Sequence, residues 1–183
     1  MFEKRNKLAV MPQDVVLSYD GLLTFLQETQ TYSRRTMDAV NTWIDAAETI
    51  RKKGHTIDGI DNKEADLLIL NRATMMGIPT VFIVYMVCSA LDAYLRGVCL
   101  RMLNMRLIAD DSWFSLDVVE RVTGVVLSAM PSWQPIAKVY DARTVLNRLE
   151  FTIEWSTEFV HSIPDLAASF ATQFKELIEK TKQ

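Results

Sequence analysis

The sequence predicts an all-α chain, a single-domain bundle of five to six helices around one central apolar helix. Three observations carry this prediction. Hydrophobic residues recur at three- and four-residue steps over most of the chain. No alternating stretch of useful strand length interrupts them. The most apolar run, NRATMMGIPTVFIVYMVCSALDAYLRGVCLRMLNMR, lies mid-chain and carries no charge from Ala73 to Leu91.

Residues 1–11 have no clear period and read as an arm, and Pro12 suits a first helical position. Whether one helix runs from there through Gly21 or a second starts at Asp20 stays open. From Leu22 the pattern is strong: Leu22, Phe25, Leu26, Tyr32, Met37, Val40, Trp43, Ile44, Ala47 and Ile50 form one stripe. It ends at Lys52, Lys53 and Gly54, where basic side chains meet the negative helix end and glycine supplies a left-handed cap. Thirty such residues span about 45 Å. After the turn HTIDGI, Asp61 with Glu64 forms a capping-box signature, which predicts a short helix over Asn62 to Met76. Gly77 and Pro79 should break it, because proline lacks the amide donor and disfavours helical geometry in the residue before it. The central helix then covers about 79–107. Past the loop IADDSWFS, Ser115 is the expected cap of a helix from Leu116 to Met130. PSWQP breaks the chain again, and the period resumes from Ile136 to about Ser162. Ser162 and Pro164 read as the start of a last helix, which buries Leu166, Phe170, Phe174, Leu177 and Ile178 and pairs Glu176 with Lys180 outside.

Composition narrows the function classes. At 183 residues and 49% hydrophobic content, the chain should build a large core or an additional buried interface. Net charge is only −3. Arg96, Arg101 and Arg106 recur every fifth residue, rotating each about 140° from the last, so they make no phosphate-tracking stripe. DNA binding is therefore not expected. A bilayer-spanning helix needs roughly 20 apolar residues. Restarting at Pro79 leaves too few before Asp92, and arginines flank both sides, so the run is expected in the protein core and not in a membrane. Cys88 and Cys99 share one helix about 16 Å apart, too far for a disulfide. They read as core thiols of a reducing, cytoplasmic compartment, and the N-terminus is too short for a secretory signal.

Chemistry requires groups that converge. Glu150, Glu154 and Glu158 share a helix face with His161 three residues on, and a Glu-x-x-His step is a ligand pair of carboxylate-bridged di-metal bundles. Such sites need two steps. With one, Glu158 and His161 are metal candidates within an otherwise solvated acidic face, and neither metal nor other cofactor is expected. Asp92 and Arg96 stand one turn apart in the most apolar helix, where Ile78, Phe82 and Tyr85 mark the core stripe. They read as an ion pair at the bundle rim, or as a charged pair facing a partner. Trp113 and Trp133 flank the fourth helix as end plugs or partner contacts. Met75, Met76, Met86, Met102 and Met105 read as gap-fillers or as an adaptable binding surface. No phosphate-binding glycine loop, G-x-S-x-G elbow, CxxC or H-E-x-x-H occurs.

The long N-terminal helix, the turn and the segment RATMMGIPTVFIVYMVCSALDAYLRGVCLRML together resemble the central part of HEPN-type helical domains over about residues 20–107. The resemblance implies a bundle that commonly dimerises, with Asp92 in the acidic position. HEPN ribonucleases also carry an arginine separated by four to six intervening residues from a following histidine. Arg51 and His55 are too close for that step, and Glu154, Trp155 and Ser156 stand at the required offsets before His161. The expectation is thus a non-catalytic interaction module, a regulator or inhibitor that binds another protein and forms a homo-oligomer. Asp92, Arg96, Trp113 and Trp133 are its candidate contacts. The alternative is a divergent HEPN-like protein that binds or cleaves RNA.

Overall fold

The computed structural model describes residues 16–53, 61–105, 114–147 and 155–181. Among them are six α-helices and no strand, the all-α bundle expected from the sequence. They are α1 (Tyr19–Lys53), α2 (Asn62–Leu70), α3 (Arg72–Met102), α4 (Leu116–Thr123), α5 (Trp133–Asn147) and α6 (Thr157–Thr181). The expected arm over residues 1–11, the Gly54 cap and Trp113 lie outside the described residues.

The buried stripe of α1 contains Leu22, Leu26, Met37, Val40, Ile44, Ala47 and Ile50, with Thr29 and Ser33 between them. Thr29 is tolerated there because its hydroxyl donates to the Phe25 carbonyl at 2.8 Å. Tyr32 and Trp43, which the sequence pattern assigns to this stripe, are half exposed. Each precedes a buried residue, Ser33 or Ile44, and one helical step rotates it about 100° off the stripe.

The capping box before α2 forms as expected. Asp61 Oδ1 accepts from the Glu64 amide at 2.8 Å, and Glu64 Oε2 accepts from the Asp61 amide at 3.2 Å. The expected break at Gly77 and Pro79 does not occur. The joint is Asn71, whose amide donates to the Leu67 carbonyl at 3.0 Å while its own carbonyl accepts from Met75 at 2.9 Å. Pro79 is the eighth residue of α3 and is buried. Its local cost is about 3 kcal/mol, and burial of the apolar residues that follow outweighs it. The same override occurs in α6, which runs through buried Pro164. That helix starts at Thr157, with Ser156 Oγ accepting from the Phe159 amide at 3.2 Å. Ser162, the expected cap, instead donates within the helix to the Phe159 carbonyl at 2.7 Å.

Three helices stop earlier than their periodicity suggests. α3 ends at Met102 and not at about Leu107, because Asn104 turns left-handed (φ 51°) and Met105 donates back to the Leu100 carbonyl at 2.9 Å. α4 begins at the expected Ser115 cap, which accepts from Val118 at 3.3 Å. It ends at Gly124 (φ 70°) rather than Met130, and a single 3-10 turn, Leu127–Ala129, follows. α5 ends at Asn147, and Trp155 and Ser156 are non-helical, so the helix expected through Ser162 is not continuous. It starts at Trp133, earlier than expected, because Pro135 falls in the first turn, where no intrahelical donor is lost.

The central position of α3 is as expected: it packs against α1, α4, α5 and α6. α1 runs antiparallel to it, from the Leu17 amide on the Ala93 carbonyl (3.3 Å), through the Tyr32–Phe82 ring contact (5.0 Å), to Glu48 beside Arg72 (3.5 Å). α6 is also antiparallel to α1, from Thr172 beside Tyr19 (2.8 Å) to Asp165 beside Gln30 (2.6 Å). α6 therefore begins level with the middle of α1. The last four turns of α1, α2 and the first two turns of α3 extend past it as an arm. Ala47, Ile50 and Ala65, with Leu68 and Ile69, give the arm a small core of its own. At the opposite end of α1, the Leu17 carbonyl and Val16 Cβ would lie 3.3 Å from a Cβ on Gly97, so the strap before α1 crosses α3 in close contact at this glycine.

Candidate functional site

Two features remain once the core is accounted for: a polar cluster beside α3 and an apolar exposed surface on the arm. The cluster is built around Asp92. The uncharged face of α3 carries this carboxylate to α5, where Oδ1 accepts from the Tyr140 hydroxyl at 2.8 Å and Oδ2 from Arg143 Nη1 at 2.6 Å. The Arg143 guanidinium also lies 4.8 Å from the centre of the Tyr140 ring. Burial pushes the Arg143 guanidinium's pKa down, but the nearby Asp92 carboxylate, together with Cys88 and Tyr140, reverses this, and the net shift is upward. Burial, with Asp92 next, pushes the Tyr140 hydroxyl well up. Both Asp92 oxygens are thus engaged by α5 side chains, an arrangement that orders the α3–α5 contact.

The expected Asp92–Arg96 pair is not formed. Arg96 is buried, with its guanidinium 5.3 Å from the centre of the Phe114 ring ahead of α4. The two charges are one turn apart but serve different neighbours. Trp133 is a plug, its ring 5.6 Å from Phe170 and 6.0 Å from Tyr140. Trp133 and Arg96 are therefore packed inward, and Asp92 is held by α5. Arg143 and Tyr140 were not singled out from the sequence, because nothing local links them to a carboxylate some fifty residues earlier.

Neither cysteine offers a nucleophile. Cys88 and Cys99 are buried and free, and burial pushes their thiols up to about 12 and about 11. Glu158 is fully exposed, and its carboxyl is lowered by its own backbone amide and the Ser156 hydroxyl, with His161 a smaller contribution. Among the described residues, no three His, Cys, Asp or Glu side chains converge as a metal site. A cavity of about 180 Å³ collects Tyr19, Tyr94, Arg101, Lys175 and Glu179. That is below the usual volume for a small-molecule site, and Lys175 is already engaged over the Tyr19 ring at 4.3 Å and by Glu179 at 4.0 Å. The outer pair of α6 is this one rather than Glu176–Lys180.

Compared with family models, curated proteins and solved structures, the chain returns no match.

The apolar exposed surface, on the arm and beside it, is different in character. Tyr32 (52% exposed) and Trp43 (53%) lie on one flank of α1, Leu67 (51%) and Leu70 (80%) on α2, and Ile78 (65%) on the first turns of α3. Ile78 belongs to the core stripe expected from the sequence. It is exposed because α3 is covered by other helices only from about Pro79 onward. α3 is the one helix among the described residues long and apolar enough to cross a membrane. Its residues from Pro79 to Leu100 are mostly buried, whereas those from Arg72 to Ile78 are not.

Proposed function

We propose that this chain is a non-catalytic helical interaction module, a regulator or inhibitor that acts by docking its projecting arm on another protein. The observation that carries this reading is the outer face of α2. That helix already packs Ala65, Leu68 and Ile69 on α1, yet directs Leu67 and Leu70 into solvent. Exposed apolar groups clustered on a projecting element favour association, because covering them recovers about 25 cal/mol per Å². The candidate polar groups are engaged within the fold, which favours binding over catalysis.

A photo-crosslinking amino acid at Leu70 in cells of the native host tests the proposal. Discrete adducts are expected that do not form from the same probe at Asp45, an exposed polar position on α1. Equal labelling from both positions, or none, would refute it.

One observation bears on the RNA alternative. Asp92, the acidic position of the HEPN resemblance, is paired with an arginine, Arg143. With four to six residues intervening after Arg143 the sequence has Arg148, Leu149 and Glu150, so that pair has no following imidazole for acid–base catalysis. Purified protein that degrades RNA, with activity lost in Asp92→Ala, would establish this alternative in place of the interaction module.

A further inference from the structure

We infer that the exposed flank of α1 is a self-complementary seam that pairs with a second copy of this chain, antiparallel and about a twofold axis at Ala39. The inference rests on the interaction-module reading and adds a second, separate face to it. Tyr32, Ala39 and Ala46 are seven residues apart, so on a helix of 3.6 residues per turn they form one column that drifts only about 20° per step. Trp43 lies one turn from Ala39 and joins the same seam. Ala39 is exposed and Ala46 half-buried, while Tyr32 and Trp43 are both half exposed. The seam thus alternates two aromatic knobs with two alanine notches, the pattern that lets helices approach closely.

A twofold axis at Ala39 makes this pattern complementary to itself. Tyr32 then faces the notch at the partner's Ala46, and Ala39 faces its own copy at the closest approach. Arg35, exposed on α1, faces the partner's Trp43, where a guanidinium over an indole ring is favourable. Each contact occurs twice, which is the definition of an isologous interface. Tyr32 is held in place by its ring contact with Phe82, and Ile78, one turn before Phe82, continues the apolar surface beside the seam.

The area is sufficient for a specific but modest contact. Half of Tyr32 and of Trp43, with most of Ile78 and the alanines, gives on the order of 500 Å² per copy, so roughly 1,000 Å² for the pair. That meets the lower bound for a specific interface.

Sedimentation equilibrium of the full chain between about 1 and 100 μM decides the matter. The wild type should move from the 20.9 kDa monomer toward twice that mass. Ala39→Arg, which fills the notch at an exposed site, should remain monomeric with unchanged helical circular dichroism. Trp43→Ala should weaken the dimer at least tenfold, and it serves as the test if Ala39→Arg alters the fold. Leu70→Arg should dimerise like the wild type. A monomeric wild type at the highest concentration, an unaffected Ala39→Arg or Trp43→Ala dimer, or a dimer abolished by Leu70→Arg would overturn the seam. So would binding of the monomer to neutral phosphatidylcholine vesicles through Trp43 in place of dimerisation. Leu70 adducts that persist without dimerisation would overturn the seam alone, whereas a dimer without Leu70 adducts would overturn the docking proposal alone.

Discussion

Arg143→Ala is the most informative single change in the core, because it separates a structural polar cluster from a functional one. The substitution removes the 2.6 Å bond to Asp92 Oδ2 and leaves the carboxylate with only the Tyr140 hydroxyl. Breaking a fully buried pair from one side costs roughly 3–5 kcal/mol. Here the Arg143 and Asp92 side chains are 26% and 21% exposed, so water screens part of the uncompensated charge, and the expected cost is about 2 kcal/mol. For a chain of this size that corresponds to a fall in Tm of about 4–8 °C. Asp92→Asn keeps an acceptor for Tyr140 and should cost less, about 1 kcal/mol. The double variant should be more stable than the sum of the single losses implies, with a coupling of at least about 1 kcal/mol. Equilibrium urea denaturation followed by helical circular dichroism measures all four corners of this cycle. An Arg143→Ala variant within about 0.5 kcal/mol of wild type, or a coupling near zero, would refute the assignment of this cluster as a structural tie between α3 and α5. Leu70 adducts should be unchanged in Arg143→Ala wherever it remains folded.

Three further outcomes follow from the same geometry. Gly97→Ala places a methyl group 3.3 Å from the Leu17 carbonyl and Val16 Cβ, and urea denaturation should show a loss of about 1–3 kcal/mol as the strap is pushed off α3. Two glycine-to-alanine changes should have opposite signs in the same assay: Gly77→Ala, in mid-helix with open space around it, should stabilise by about 0.5–1 kcal/mol, while Gly124→Ala, at φ 70°, should destabilise by about 1 kcal/mol. The Cys88 thiol is raised from 9.0 to about 12 by burial, so the folded state keeps its proton above pH 9 while the unfolded state releases it; stability contributed below pH 9 is then lost as pH rises toward 12, by on the order of 1 kcal/mol at pH 10, and Cys88→Ala should show a shallower alkaline decline.

What could be read from the sequence was local chemistry. Asp61 with Glu64 and Ser115 before Leu116 cap their helices as expected, because a capping interaction closes within three residues and needs no tertiary contact. The breaks placed at Pro79 and at Ser162–Pro164 fail for the complementary reason. A proline's cost is also local, but it is set against burial by distant helices, and both proline rings are buried eight residues into their helices. Asn104 carries a signal that could have been used: asparagine is among the few side chains that adopt the left-handed cap, and it stands before the charged end of the central run.

The site was less legible than the fold, and for a definite physical reason. Periodicity assigns a residue to a face but does not say which face a neighbour covers, so Tyr32, Trp43 and Ile78 count toward an apolar stripe whether or not another helix lies over them. In α1 the pattern carries two overlapping signals. The buried stripe runs through Thr29 and Ser33, weak hydrophobes at its centre, while the aromatic residues one step away belong to the exposed flank. The buried stripe thus holds two hydroxyls among its aliphatic side chains, while the two largest aromatic side chains of the helix's C-terminal two-thirds, Tyr32 and Trp43, remain half exposed. The same residues are accounted for if α1 serves two neighbours, α3 within the chain and a second copy outside it. Ser33→Ala tests this logic. It should leave the fold intact or slightly more stable by urea denaturation, since it removes a buried hydroxyl. It should not alter dimerisation, whereas Trp43→Ala should weaken the dimer and leave monomer stability within about 0.5 kcal/mol. If Trp43→Ala instead destabilised the monomer by several kcal/mol, the exposed flank would be part of the internal core, and the division of α1 into two faces would be wrong.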